Sequence, residues 1–507
     1  LDVRDAKVLH IRRMSENACR LRVLHVDLRV HPMRTRFPFR YGIASMTAVP
    51  HLFVQIELEV DGKTSTGIAS DGLPPKWFTK NPESGMEQDL AEMIAVIQHA
   101  VKLALRHSTE PHTFMGLWQR MKLDQQVWSA QHSHPPLLWN FGISLVERAM
   151  LDALCKAAAM PLHRLVKSDL LGLDLGEMHP ALEGMQPVDF LPASPLPSIR
   201  VRHTVGLADP IRVDDIPAGE RLHDGLPQAL EECIPAYGLT RFKIKFGNDL
   251  ASDQKRLRAI AETLETLCKD DWQVTLDGNE FFYDMSTFRA YFETLQRDPA
   301  LRSLLERTLW VEQPMHRDRA LNDAVGTTLH DWKDAPALII DESDGSLGDA
   351  LRALELGYVG TSHKNCKGVL KGLANAGFIH QHRLTHPGKN FVISGEDLVN
   401  VGPIALLQDL AVQALLGVTH VERNGHHYFR GLSMYPPEIA AQTAAAHPDL
   451  YTTHPDGLTA LQITSGKLAL RTVNEAPFGS SVALDLSGFP TLKEWILGGG
   501  LALVSQG

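Results

Sequence analysis

Between residues 196 and 432, short apolar, β-rich runs alternate with longer stretches of helical period. The runs, in order, are IRVRHTVG, RFKIKFG, WQVTLDGN, LWVEQP, ALIIDES, YVGTSHKN, NFVISGED and THVERNG, with helical segments such as SLGDALRALELG and PIALLQDLAVQALLG between them. Strand-helix alternation of this kind predicts parallel strands joined by crossover helices. Eight such units in about 230 residues match a (β/α)8 barrel, for which about 250 is usual.

The flanking segments follow other periods. Over residues 20–72 the runs RVLHVDLRV and HLFVQIELEVDG alternate apolar and polar positions toward an Asp-Gly turn, which predicts an antiparallel sheet. Residues 86–122 and 141–166 take a helical period, the second stretch being stopped by Pro161. Residues 168–198 show no clear period and read as an irregular linker. After Leu432 the alternation stops, and residues 461–486 look β-rich again. The fold class predicted is therefore α/β: a TIM-type (β/α)8 barrel at 196–432, with an α+β capping domain built from 1–195 and from a tail, 433–507, that returns to it.

Five of the barrel runs end in a lysine or a carboxylate: Lys245, Asp277, Glu312, Asp341 and Lys364, spaced by 32, 35, 29 and 23 residues. That is the length of a strand plus a crossover helix, so these ends converge on one face, where a barrel keeps its active site. Asp277, Glu312 and Asp341 offer hard oxygen ligands without His or Cys, a set that favours Mg2+ over zinc. The fifth run holds both Asp341 and Glu342. Alternation sends them to opposite sides; Asp341 is preferred as the ligand and Glu342 held in reserve. Asn279 shares a face with Asp277 and either supports the site by hydrogen bonding or serves only as a turn residue. Lys243 and Lys245 share one strand face, where two adjacent ammonium groups are expected to depress each other's pKa. Lys364, four units round, faces them, while Lys367 and Lys371 read as helix-surface charges. A cation on a substrate carboxylate and a lysine at its α-carbon are together the requirements for abstracting an α-proton to an enediolate.

Composition narrows the partners. The 507 residues carry 50 Lys+Arg against 60 Asp+Glu, a net charge of −10 that repels a phosphate backbone and argues against nucleic acid. No run is long and apolar enough to span a bilayer. Five cysteines (Cys19, Cys155, Cys233, Cys268 and Cys366) without a CxxC pair suit a reducing cytoplasm, and the opening LDVRDAKVLHIRRM lacks the apolar core of a secretory signal. The expected partner is a small-molecule carboxylate.

Taken together, FPFRYG, ISLVERAMLDALCKAAAMPLHRLV, FKIKFG, LDGN, VEQP, DES and SHKNCK resemble the enolase superfamily, in its mandelate racemase and muconate lactonising enzyme branch, over most of residues 20–430. The lysine strands are similar to those of the lactonising-enzyme subgroup. The resemblance implies Lys245 and Lys364 as opposed acid/base residues, Lys243 as an electrostatic neighbour, and Asp277, Glu312 and Asp341 as Mg2+ ligands. It implies racemisation or epimerisation, cycloisomerisation, or β-elimination as in an acid-sugar dehydratase. The alternative of another class is a barrel that only binds a ligand. Glu396 falls where the subgroup often has a glutamate, although GEDLVNVG departs from the usual context. The His-Asp dyad of mandelate racemase is not evident, and KNCKGVLKG lacks the usual paired glycines. Specificity in this family comes from cap loops, here FPFRYGIASM with Arg40 and Tyr41, and SDGLPPKWF with Lys76 and Trp77. Arg40 would pair a second substrate carboxylate. His363, His426 and His427 flank strand ends and would suit a polar acid. Barrels of this family commonly assemble, so a homo-oligomer accords with the resemblance.

Overall fold

The computed structural model describes residues 17–41, 44–269 and 271–502. Three long strands, β1 (Leu21–His31), β4 (His51–Val60) and β5 (Lys63–Gly72), form an antiparallel sheet in the order β1-β4-β5, and β2 (Arg34–Tyr41) pairs with β3 (Ala44–Ala48) as a separate hairpin. The turn between β4 and β5 is Asp61-Gly62, both at positive φ (48° and 80°), the backbone that a two-residue hairpin of right-handed twist requires.

The helical stretch at 86–122 is divided. One helix ends at His107; Pro111 lies in the break, Thr113 caps the next helix by accepting from Gly116 N, and that helix runs Phe114–Gln131. The helix Pro136–Ala157 begins earlier than its periodicity suggests, behind two prolines, and is buried on all sides from Leu137 to Cys155. A Cβ at Gly67 would stand 2.0 Å from the Ala149 carbonyl oxygen, so only glycine lets this helix lie so close to β5.

The polar residues of this buried helix link cap to barrel. Asn140 donates to the Gly345 carbonyl, and Glu147 accepts from Val369 N and Leu370 N at the start of helix Val369–Thr385, while within the cap Glu147 also accepts from Trp118 Nε1 and Arg148 pairs with Asp71 of β5 at 2.6 Å. Burial outweighs those donors and pushes the Glu147 carboxyl up to about 7. A carboxyl whose folded pKa is raised stabilises the fold below its unfolded value, and that contribution is lost as pH rises through the folded value. Glu147→Gln, neutral at every pH, is thus expected to gain on the native chain by about 3 kcal/mol between pH 4.5 and 8. Urea denaturation at both ends of that window measures the gain; equal differences at the two pH values would refute it.

Eight parallel strands, β6 (Ser198–Val205), β7 (Arg241–Lys245), β8 (Gln273–Asp277), β9 (Thr308–Glu312), β10 (Leu338–Ile340), β11 (Gly360–His363), β12 (Val392–Gly395) and β13 (His420–Arg423), pair in sequence order, and β13 closes on β6. Helices lie between the strands. The architecture is the predicted barrel with an N-terminal strand and helix cap.

The tail contains less strand than its composition suggested. Short strands β14 (Tyr451–Thr453) and β15 (Thr459–Leu461) pair with each other, and β16 (Lys467–Ala469) pairs antiparallel to β6, on the barrel rather than the cap. Beyond it, Val30 N donates to the Pro490 carbonyl, and helix Leu492–Leu497 packs on β1. No helix among the described residues is long and apolar enough to cross a membrane.

Candidate active site

Strand register fixes the floor of the site. Lys245 lies opposite Asp277, and Asp277 opposite Glu312, on three adjacent strand ends. In β7, Phe242 and Ile244 turn outward to the apolar core, and Lys243 and Lys245 turn into the barrel. The cleft at this end is lined by Lys243, Lys245, Asp277, Asn279, Asp341, Glu342 and Lys364 among others. All of these except Glu342 are less than a tenth exposed.

Lys243 Nζ is surrounded by carboxylates: Glu396 at 2.7 Å, Glu312 at 2.8 Å, Glu422 at 3.1 Å and Asp277 at 3.2 Å. Burial alone would lower its pKa, but these partners outweigh it and hold Lys243 well above the usual lysine value. The expected mutual depression of the two lysines is therefore not found at Lys243. Each of its near neighbours is an acid rather than an amine. Lys245 Nζ donates to Asn279 Oδ1 at 2.9 Å and lies 3.4 Å from Asp277.

Across the cleft, Lys364 pairs with Asp341 and stands 4.6 Å from the Trp77 ring. Burial is again outweighed, here chiefly by Asp341, and the Lys364 ammonium is pushed up. Asp341 also accepts from Ser362, and its carboxylate is 3.0 Å from Lys367; despite burial, these cations hold it well below the usual range.

Several sequence expectations are corrected. Asp341 and Glu342 both line the cleft, because β10 ends at Ile340 and strand alternation no longer applies. Burial and neighbouring Asp341 push Glu342 up to about 7. Arg40 is exposed and does not line the cleft; its neighbour Phe39 does, because alternation along β2 turns only one of the pair inward. The Tyr41 side chain lies outside the described part of the structure. His363 points away from the cleft onto Gly372 of the next helix, as alternation within β11 after the inward Ser362 requires. His426 and His427 also lie outside the cleft, near His203. Glu396 is not a lining residue. It is fully buried beneath the cleft between Arg202 and Lys243. Lys367 and Lys371 are buried rather than on a helix surface: Lys367 donates to the Asp341 carbonyl at 2.6 Å, and Lys371 pairs with Asp344.

The sequence reading missed other residues. Glu422, the last residue but one of β13, accepts from Thr204 at 2.7 Å and completes the set around Lys243. Glu280, directly after LDGN, takes a two-pronged pair from Arg317 at 2.7 and 2.8 Å, and Lys80 is 3.2 Å away. Arg317 also donates to the Trp77 and Phe78 carbonyls, so this pair holds the SDGLPPKWF loop over the barrel mouth. Acidic ends in THVERNG and LDGNE were the available signals.

The carboxylates fit a hard divalent cation by donor type, and two of their oxygens, Glu312 Oε2 and Glu342 Oε2, are buried without a hydrogen-bond partner. The acids are not preassembled into a tight cage. Among the described residues, the one group of potential ligands whose atoms all lie within 4.8 Å is elsewhere, at His203, Cys233 and His427. Mg2+ commonly keeps several waters and takes few protein carboxylates, which suits such an open arrangement.

In its fold, the barrel with its cap is similar to solved structures of the enolase superfamily's mandelate racemase and muconate lactonising branch. A mandelate racemase/muconate lactonizing protein from Herpetosiphon aurantiacus is 18% identical, with a TM-score of 0.54 over 90% of this chain and 98% of its own. Muconate lactonizing enzyme from Pseudomonas fluorescens, complexed with muconolactone, is 16% identical with a TM-score of 0.55 over 92% and 97%. Dipeptide epimerase from Enterococcus faecalis V583, complexed with Mg and the dipeptide L-Leu-L-Tyr, is 16% identical with a TM-score of 0.54 over 88% and 99%. No protein-family model matches the sequence. A search of curated proteins gives no match.

Proposed function

We propose that the chain is an enzyme of this superfamily that removes the proton α to a substrate carboxylate, giving an enediolate that is reprotonated, cyclised or relieved of a β-leaving group. The observation that carries this reading is one cleft with Lys245 on one wall and Lys364 on the other, above buried carboxylates. Lys364, kept protonated by Asp341, is placed to deliver a proton. Lys245, oriented by Asn279 and Asp277, is placed to take one from the opposite face. Delivery to the same α-carbon inverts it; delivery to a β-leaving group eliminates it.

Asp277, Glu312 and Asp341 would hold Mg2+, with Glu342 in reserve. When bound, the cation supplies charge neutralisation to the substrate carboxylate as its α-proton leaves. Asp277→Ala removes a ligand itself and should weaken Mg2+ binding by more than the ~10–100-fold that loss of a supporting group costs. Calorimetry showing unaltered affinity would contradict the ligand set.

Phe39, Pro74, Trp77, Leu398 and Val399 give the cleft one apolar flank, and Lys76, Lys80, Arg317, Asp397 and Asn424 give it polar ones. N-acyl amino acids, dipeptides and acid sugars are therefore all substrate classes to test. Incubation with Mg2+ in D2O against pools of all three classes, read by mass spectrometry, tests the reading. Deuterium at the α-carbon is the expected result, and its absence from every pool, with Mg2+ bound, counts against α-proton abstraction.

A further inference from the structure

We propose that His203, Cys233 and His427 bind one zinc-class ion, at a site separate from the carboxylate cleft and independent of the reaction proposed above. One ligand atom from each lies within 4.8 Å of the others, and all three residues are buried. The group forms for a topological reason. Arg202 and Thr204 of β6 turn into the barrel, so His203 between them turns out. There it meets the inner face of helix Leu230–Tyr237, which buries Leu230, Cys233 and Ile234. The short helix Gly425–Tyr428 after β13 supplies His427.

One edge of the group has the length a tetrahedral ion would set. Cys233 Sγ is 3.7 Å from His427 Nδ1, long for a thiol-imidazole hydrogen bond. It is close to the ~3.6 Å edge that a metal with bonds of about 2.3 Å to sulfur and 2.0–2.1 Å to nitrogen subtends at the tetrahedral angle. His203 Nδ1 lies 3.1 Å from His426 Nε2, the kind of outer partner that fixes a ligating imidazole, leaving Nε2 for the ion. Two imidazoles, one thiol and no carboxylate select a borderline or soft ion over Mg2+. Burial keeps both histidines neutral, the ligating form. The thiol must surrender its proton to solvent when the metal–sulfur bond forms. The nearby Arg36 charge is matched by Asp224, so it does not oppose a cation unopposed.

Occupancy would join the first barrel strand, the helix that follows it and the loop after the last strand. The cap hairpin rests on this joint: Arg36 donates to the His427 carbonyl at 2.6 Å, and the Phe37 ring meets His427 at 4.9 Å. Phe39, two residues on, lines the cleft. The ion would thus set the shelf on which one wall of the cleft is carried.

The test uses the full chain, reduced and stripped of metal, titrated with Co2+ in excess Mg2+. One equivalent should produce a thiolate-to-cobalt charge-transfer band, bleached by one equivalent of Zn2+. Cys233→Ser and His427→Gln should each lose the band, and Asp277→Asn should keep it. The proposal is overturned by a wild-type chain that shows no band, by a band that survives Cys233→Ser, or by one that disappears with Asp277→Asn. Should Cys233→Ser fail to fold, His427→Gln and the wild-type titration still decide.

Discussion

Lys245→Ala is expected to lower α-deuteration in D2O by roughly 10²- to 10⁴-fold, the usual contribution of a positioned general acid or base, while Mg2+ binding survives. Lys245 Nζ is held by Asn279 Oδ1 at 2.9 Å, and Asp277 lies 3.4 Å away. Alanine removes the amine but leaves Asp277, Glu312 and Asp341 in place. Loss of exchange without loss of metal therefore separates proton transfer from charge neutralisation. Lys364→Ala provides the comparison. With a racemising or epimerising substrate, Lys245→Ala should stop exchange from one enantiomer, and Lys364→Ala should stop exchange from the other. A chain whose exchange is unchanged by Lys245→Ala has its base elsewhere, and the site assignment fails.

The parts of this site legible in the sequence are those set by local rules. Period-2 alternation places Lys243 and Lys245 on one face, and the strand-plus-helix repeat brings Lys245, Asp277, Asp341 and Lys364 to one cleft. The same alternation already excludes His363 once Ser362 is taken as inward, and makes Arg40 and Phe39 alternatives rather than partners. What was not legible depends on closure. Glu422 reaches Lys243 because β13 sits beside β6, and two strands at opposite ends of the barrel sequence become neighbours only when the sheet closes. Lys367 and Lys371 look like surface charges on a periodic helix. Lys367 lies instead in a 3-10 turn before helix Val369–Thr385, which carries Lys371 and whose first turn meets Glu147 of helix Pro136–Ala157, and the two amines turn to Asp341 and Asp344. The Arg317–Glu280 pair joins residues 37 apart whose meeting depends on how two loops fold over the mouth.

Removing the charge at the centre of this network should be costly to the fold. Lys243→Met keeps much of the length and apolar stem but leaves Asp277, Glu312, Glu396 and Glu422 without their shared cation. Replacing every member of a buried ionic set by apolar groups can be neutral. Removing one partner costs about 3–5 kcal/mol, because charge is left buried and unpaired. Arg202 still pairs with Glu396, Thr204 still donates to Glu422 and Lys245 still stands 3.4 Å from Asp277, so the burden falls on Glu312. Glu312 already sits well above the usual carboxyl value through burial and the neighbouring Glu396; without Lys243 it should bind a proton more tightly still. A raised folded pKa gives stability that is lost as pH rises, so the variant should be weakest at neutral pH and recover toward the native chain as the medium is acidified. Urea midpoints at pH 5 and pH 7 read this directly, provided the slope with denaturant is unchanged. Mg2+ adds a second arm: carboxylates able to gather a divalent cation will recover more stability from it in Lys243→Met than in the native chain. Equal stability of the two chains at pH 7 would show that Lys243 is not the counter-charge its position indicates.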